Sequence, residues 1–216
     1  KFDKKPNQTF KGLTEEVYLD LLKEAKLENG NVIGQAWFGN CGMGTFGQRN
    51  IRGQVCFTPL VKKKLFPERV GIINVEGGCA TGSMAFHGAW KDVVSGTEDV
   101  TLAIGVEKIF QPNRPDMIQE IYDGGIDQFD TDEWIKFYKN VGDHLGKPFN
   151  PEKKKGTIFM DTYSLQALWH MKKFGTTQKQ IAIAASKNHF HGSLNEKAQY
   201  QFEVSVDDVL NDREIS

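Results

Sequence analysis

Over residues 14–27 the apolar positions Val17, Leu21, Leu22 and Ala25 recur at helical spacing, whereas later segments hold short, nearly continuous apolar runs. A helix is therefore predicted first, and strands after it. Thr14 is the expected N-cap, Leu13 and Tyr18 can staple the helix start, and Gly30 is the expected stop. "VIGQAWF" (32–38) predicts a strand, and the glycine-rich "GNCGMGTFGQRN" after it predicts a loop. "RVGIINV" (69–75) is a run expected of a strand covered on both faces, and "DVTLAIGVE" (99–107) is another. The stretch between them, ending at Ser95, is long enough for a helix of about four turns. This strand–helix–strand order predicts α/β organisation, with the two strands as parallel neighbours joined by a right-handed crossover.

After Glu107 the texture changes. Residues 110–156 hold Pro112, Pro115, the Gly124–Gly125 pair, many acidic groups and the Lys153–Lys155 run, with a short amphipathic stretch at "EWIKFYKNV". This reads as an excursion from the sheet. Two helices follow, "DTYSLQALWHMKKFG", closed by Gly175, and "TTQKQIAIAASKNHF", which opens on a Thr177/Gln180 capping box. The terminal "SVDDVLNDREIS" has a short helical pattern.

Composition narrows the function classes. The 216 residues carry a net charge of −1, which gives no global electrostatic case for binding nucleic acid or an anionic membrane. Cys41, Cys56 and Cys79 are an odd, widely spaced set, unlike a disulfide framework or a zinc knuckle, and suit a reducing compartment. No apolar stretch reaches the length of a membrane span, and the opening residues lack the apolar segment of a signal peptide. A soluble, cytoplasmic protein with no metal site is expected.

The sharpest chemical feature is "VEGGCATGSMAFHGAW" (75–90), which places Cys79 where a strand gives way to a helix. The unpaired N–H groups and the dipole of a helix N-terminus favour a thiolate. Gly77, Gly78, Ala80, Gly82 and Ser83 leave room for a substrate chain and for backbone donors near an oxyanion. Cys79 as a small buried residue at a tight helix–strand contact fits the local pattern equally well.

The longer segment "NVEGGCATGSMAFHGAWKDVVSGTEDVTLAIGVEKI" resembles the nucleophile region of the thiolase superfamily. "TEEVYLDLLKEAKL" is similar to that family's first helix, and "FGNCGMGTFGQRNIRGQV" to its dimer-contact loop region. "DTYSLQALWHMKKFGTTQKQIAIAASKNHFHGSLNEKAQY" resembles its loop domain as found in the branch related to sterol carrier protein. The resemblance implies a thiolase-like fold: an N-terminal αβα layer with a mixed sheet (1–109), a loop domain covering the active site (110–205), and the start of a linker (206–216) to an absent C-terminal half. It also implies that Cys79 is the nucleophile of an acyl-CoA thiolase. A 3-ketoacyl-CoA would be cleaved or formed through an acyl thioester on Cys79, with coenzyme A as co-substrate. The histidine and the α-proton group of that chemistry belong to the family's second half, so the chain read here lacks them. A non-catalytic subunit that holds acyl-CoA or stabilises a partner is the alternative. The family usually has asparagine where Glu76 stands. The resemblance further implies a dimer or tetramer, and permits a zinc-ribbon and OB-fold partner protein of the kind some relatives work with.

Other candidates are weaker. His189 falls where the related branch often carries a histidine near the active-site entrance, and with His191 it has a spacing that serves metal on a strand; a helix end with exposed imidazoles is the plainer reading. Lys153 and Lys154 are candidates for attracting the phosphates of coenzyme A. His87 lies about 12 Å along a helix from Cys79, too far for direct proton transfer. His144 and His170 show no partners. "GMGTFG" fits the G-x-G-x-x-G string, but the strong cue includes an immediately following helix, "QRNIRGQVCF" instead carries two arginines, and the thiolase resemblance places this loop near a subunit interface, so a dinucleotide site is disfavoured.

Overall fold

The computed structural model describes residues 3–151 and 158–212. The chain forms two compact units, Lys5–Ile121 and Tyr122–Ser216, the latter grouped with Lys1–Lys4. The first unit contains α1 (Phe10–Glu24), β1 (Gln35–Gly39), α2 (Arg52–Lys62), β2 (Gly71–Val75), α3 (Thr81–Val94) and β3 (Thr101–Gly105). α4 (Met117–Asp123) follows.

The sheet order is β2-β1-β3, and β1 pairs in parallel with both neighbours. Two expectations are corrected here. β2 and β3 are parallel but not adjacent, because the α3 crossover spans β1. Among the described residues the sheet is purely parallel, where a mixed one was expected. β1 earns the centre through its two faces: Ala36 and Phe38 point to one side, fully buried, while Trp37 points to the other. On the first side Phe38 packs edge-on against Phe57 of α2, within a cluster that also holds Tyr18, Leu22, Leu60, Phe66, Leu102 and Ile104. On the other side the indole of Trp37 lies over Gly88 of α3, and its Nε1–H donates to Asp92 Oδ2 at 2.6 Å. α2 and α3 thus cover opposite faces.

β2 is an edge strand. The apolar run was expected to be buried on both faces, yet Ile73 is 38% exposed. The difference follows from the order, since only β1 is hydrogen-bonded to β2 among the described residues.

α1 departs from the expected frame. Its N-cap is Thr9, whose side chain accepts the Gly12 N–H at 3.0 Å, and it ends at Glu24 rather than Gly30. Thr14, the expected cap, is buried inside the helix and donates from Oγ1 to the Phe10 carbonyl. The buried stripe is Thr14, Tyr18 and Leu22, whereas Val17 and Leu21 are exposed. Packing has overridden the simple apolar pattern here. Tyr18 can go inside because its hydroxyl donates to the Leu65 carbonyl at 3.0 Å. Burial pushes that phenol up to about 12.

The second unit contains α5 (Thr131–Leu145), α6 (Ile158–Phe174), α7 (Gln178–Ser193) and α8 (Val206–Leu210). Gly175 closes α6 in the left-handed region at φ 71°, and Thr177 and Gln180 form the capping box predicted for α7. α8 opens on a second box, between Ser205 and Asp208. No helix among the described residues is long and apolar enough to cross a membrane.

Candidate functional site: a thiol at the carboxyl ends of the strands

In an open parallel α/β sheet, ligands bind outside the carboxyl ends of the strands, where successive connections leave on opposite faces. The loops at that edge begin at Asn40, Glu76 and Val106. Cys79 stands on the middle one in sequence, within a 3-10 turn (Gly78–Ala80) that leads directly into α3. It is therefore one turn upstream of the α-helix rather than inside its first turn. Its thiol is exposed, which removes the reading of Cys79 as a buried packing residue.

The turn is held by its own side chains. Glu76 Oε1 accepts the Gly78 N–H at 2.6 Å, and Thr81 Oγ1 accepts the Gly77 N–H at 2.9 Å while donating to the Gly78 carbonyl at 2.6 Å. The Ala80 N–H goes to the Gly77 carbonyl at 3.0 Å. Gly78 sits at φ 56°, a conformation that favours glycine. The N–H of Cys79 has no acceptor among the described residues. An exposed cysteine and an unspent backbone donor are two of the parts that acyl transfer to a thiol uses, an activating base being a third.

The neighbouring loop is knit to the end of β3 by Glu107, a residue that sequence reasoning passed over. Its Oε2 accepts the N–H groups of Cys41 and Gly42 at 2.8 and 3.0 Å. Asn40 Nδ2 donates to the Val106 carbonyl at 2.8 Å and to Glu107 Oε1 at 3.2 Å. Arg52 Nη1 donates to the Asn40 carbonyl at 2.6 Å. Cys41 is thereby placed among carboxylates. Burial first, then the charges of Glu76 and Glu107, push its thiol up to about 11, against a smaller opposing effect of Arg52. Cys56 is fully buried, and burial raises its thiol too. The three cysteines thus occupy three environments, and only Cys79 is exposed. The glycine-rich segment folds as a 3-10 turn (Gly42–Phe46) bound to Glu107, and α2 starts only at Arg52.

Of the remaining candidates, His87 belongs to the same unit as Cys79 and the other histidines belong to the second unit. His87 lies on α3, stacked on Trp90 with ring centroids 5.6 Å apart. His189 and His191 lie on α7, a helix, where residues two apart point away from each other, so the strand-type metal pair is not formed. His189 Nδ1 lies 3.2 Å from the Phe202 carbonyl, and its ring stacks on Tyr200 beside an open cleft of about 370 Å³. His170 Nδ1 lies 3.0 Å from Thr176 Oγ1, and the His144 carbonyl accepts from Lys172 Nζ. Lys153 and Lys154 lie outside the described residues. No group of three or more metal-ligating side chains occurs among the described residues.

A parallel α/β unit that presents an exposed thiol between a strand and its crossover helix is the class this geometry defines. The chain belongs to the thiolase family: residues 4–212 match the thiolase N-terminal domain. It is 26% identical to acetyl-CoA acetyltransferase of Methanothermobacter thermautotrophicus over 98% of this chain and 47% of that protein. It is also 26% identical to benzoylsuccinyl-CoA thiolase subunit BbsB of Thauera aromatica, over 92% of this chain and 43% of the relative. Against sterol carrier protein 2 of Bos taurus the identity is 29%, over 97% of this chain and 34% of the relative. The chain spans less than half the length of each of these curated relatives.

Proposed function

We propose that this chain supplies the nucleophile of an acyl-CoA thiolase, with Cys79 carrying the acyl group. The observation that carries the reading is the exposed Cys79 thiol beside its own N–H, which has no acceptor among the described residues. In the degradative direction the Cys79 thiolate adds to the 3-keto carbonyl of a 3-ketoacyl-CoA, and the electrons move onto oxygen. Collapse of that oxyanion breaks the C2–C3 bond, and the departing carbanion takes a proton to become acetyl-CoA or a related ester. The thiolate of a second coenzyme A then attacks the Cys79 thioester and releases the shortened acyl-CoA. Synthesis runs the same steps backwards. The Cys79 N–H serves as one donor to the oxyanion.

Sγ of Cys79 has no hydrogen-bonding base among the described residues. The proposal therefore assigns proton transfer to further polypeptide, corresponding to the additional length of the relatives. Such help contributes about 10²–10⁴-fold. An assembly is also supported by the outer face of α3, where Phe86, Trp90, Val93 and Val94 are exposed together with Met84. Apolar side chains gathered in this way mark an interaction surface.

Iodoacetamide labelling tests the assignment. The expected result is preferential modification of Cys79, slowed by acyl-CoA and accompanied by an acyl adduct on the same residue. Uniform labelling of all three cysteines without protection refutes the nucleophile role. Protection and thermal stabilisation without any adduct would instead identify a subunit that binds acyl-CoA without turnover.

A further inference from the structure

Thr81 is buried, although the loop it follows, Glu76–Ala80, is exposed. It is the first residue of α3, but its hydroxyl does not cap that helix: the N-cap position belongs to Ala80, which makes no side-chain bond. Thr81 Oγ1 turns back instead, accepting from Gly77 N–H at 2.9 Å and donating to the Gly78 carbonyl at 2.6 Å. One hydroxyl therefore satisfies a donor and an acceptor on adjacent residues of the thiol loop. The methyl of the same side chain packs toward Gly39 at the end of β1, where an added Cβ would meet Thr81 Cγ2 at 3.1 Å. Glu76 takes the Gly78 N–H, and the Gly77 carbonyl takes the Ala80 N–H. The Cys79 N–H is the donor in this run that these contacts leave over.

We infer that Thr81 is a positioning residue for acyl transfer: its hydroxyl fixes the turn so that the Cys79 N–H stays out of the loop's internal bonding and meets the oxygen of an acyl group attacked by Sγ. The inference rests on the reading of Cys79 as the acyl-accepting nucleophile. With a simple acyl-CoA, the sulfur–carbon bond forms as the carbonyl electrons move to oxygen. Collapse of the oxyanion then expels the coenzyme A thiolate and leaves the acyl thioester on Cys79. Alkylation by iodoacetamide passes through no oxyanion, so it reports the thiol without reporting the donor.

The experiment compares full-length wild type with Thr81→Val, which keeps the branched shape and loses the hydroxyl, and with Thr81→Ser, which keeps the hydroxyl. Acylation of Cys79 by acetyl-CoA and by benzoyl-CoA is followed by mass spectrometry, with iodoacetamide alkylation in parallel. Thr81→Val is expected to slow acylation about 10–100-fold, somewhat less than outright removal of an oxyanion donor. Alkylation should stay near the wild-type rate, and Thr81→Ser should restore acylation. Unchanged acylation in Thr81→Val, or equal slowing of acylation and alkylation, overturns the inference. If Thr81→Val does not fold by circular dichroism, Thr81→Ala takes its place with the same expected split. A wild-type protein that is alkylated at Cys79 but acylated by neither probe refutes the nucleophile reading itself, a pattern distinct from a failure confined to Thr81.

Discussion

Substitution of Gly88 by alanine tests how α3 is held against the sheet. A Cβ at this position would meet Trp37 Cε3 at 2.4 Å, Cδ2 at 2.5 Å and Cζ3 at 2.6 Å. The indole cannot yield freely, because its Nε1–H is bound to Asp92 Oδ2 at 2.6 Å. Either α3 lifts from the sheet or that bond breaks. Overpacking of this kind costs about 1–3 kcal/mol, and losing a hydrogen bond to a charged acceptor about 1.5–3 kcal/mol. The alanine returns about 1 kcal/mol in helix propensity. The balance is a loss of about 2 kcal/mol, or about 4–8 °C in melting midpoint for a chain of this length. Gly82, one residue into the same helix, has no atom within 4 Å of an added Cβ, so Gly82→Ala is expected to be neutral or stabilising. Thermal melts and urea titrations followed by circular dichroism measure both variants. A Gly88→Ala protein as stable as wild type, or a Gly82→Ala protein equally damaged, would refute the close-packing argument.

Two further outcomes follow from the titrating groups. Cys41 is expected to alkylate slowly at neutral pH and to gain reactivity only as pH rises toward its value of about 11. Glu76→Gln removes one charge that holds it there, so alkylation of Cys41 near pH about 9 should accelerate; an unchanged or slower rate argues against that electrostatic coupling. Stability should fall on the alkaline side, because folded Tyr18 and Cys41 keep protons to about 12 and about 11, against ordinary values of 10.0 and 9.0. The unfolded chain then binds fewer protons, so the stabilisation is complete below pH about 9 and is lost as pH rises through the folded values. Urea midpoints measured from pH about 8 to about 11 should show the decline, and Tyr18→Phe should flatten its upper part. An equally steep decline in that variant contradicts the assignment to Tyr18.

Much of the fold is legible in the residues, and the exceptions have physical reasons. The Thr177/Gln180 box and the Gly175 stop are local, so the sequence carries them whole. The crossover helix was readable from the run between two apolar segments, but the strand order was not. Which strand lies between β2 and β3 depends on Phe38 and Trp37 finding partners on opposite faces, in α2 and α3. α1 misled for a similar reason. Thr14 was expected as the cap and Tyr18 as a staple partner, yet both lie on the buried stripe, where the Phe10 and Leu65 carbonyls accept from their hydroxyls. At the candidate site, Cys79 stood out through its small neighbours. Thr81 and Glu107 lie within the segment that carries the resemblance, but their contacts are to backbone groups, so the sequence assigned them no role. Glu107 left one signal, a carboxylate directly after a buried strand and level with a glycine-rich loop.

The two loops at the strand ends are fastened differently. Glu107 and Asn40 bolt the loop after β1 to the end of β3, so a change in either is felt by the sheet. The thiol loop closes on itself through Glu76 and Thr81. That closure is shared rather than sealed: Glu76 also acts on Cys41 of the first loop, and the Thr81 methyl lies toward Gly39 of β1, so exchanging either residue is felt on both sides of the sheet edge.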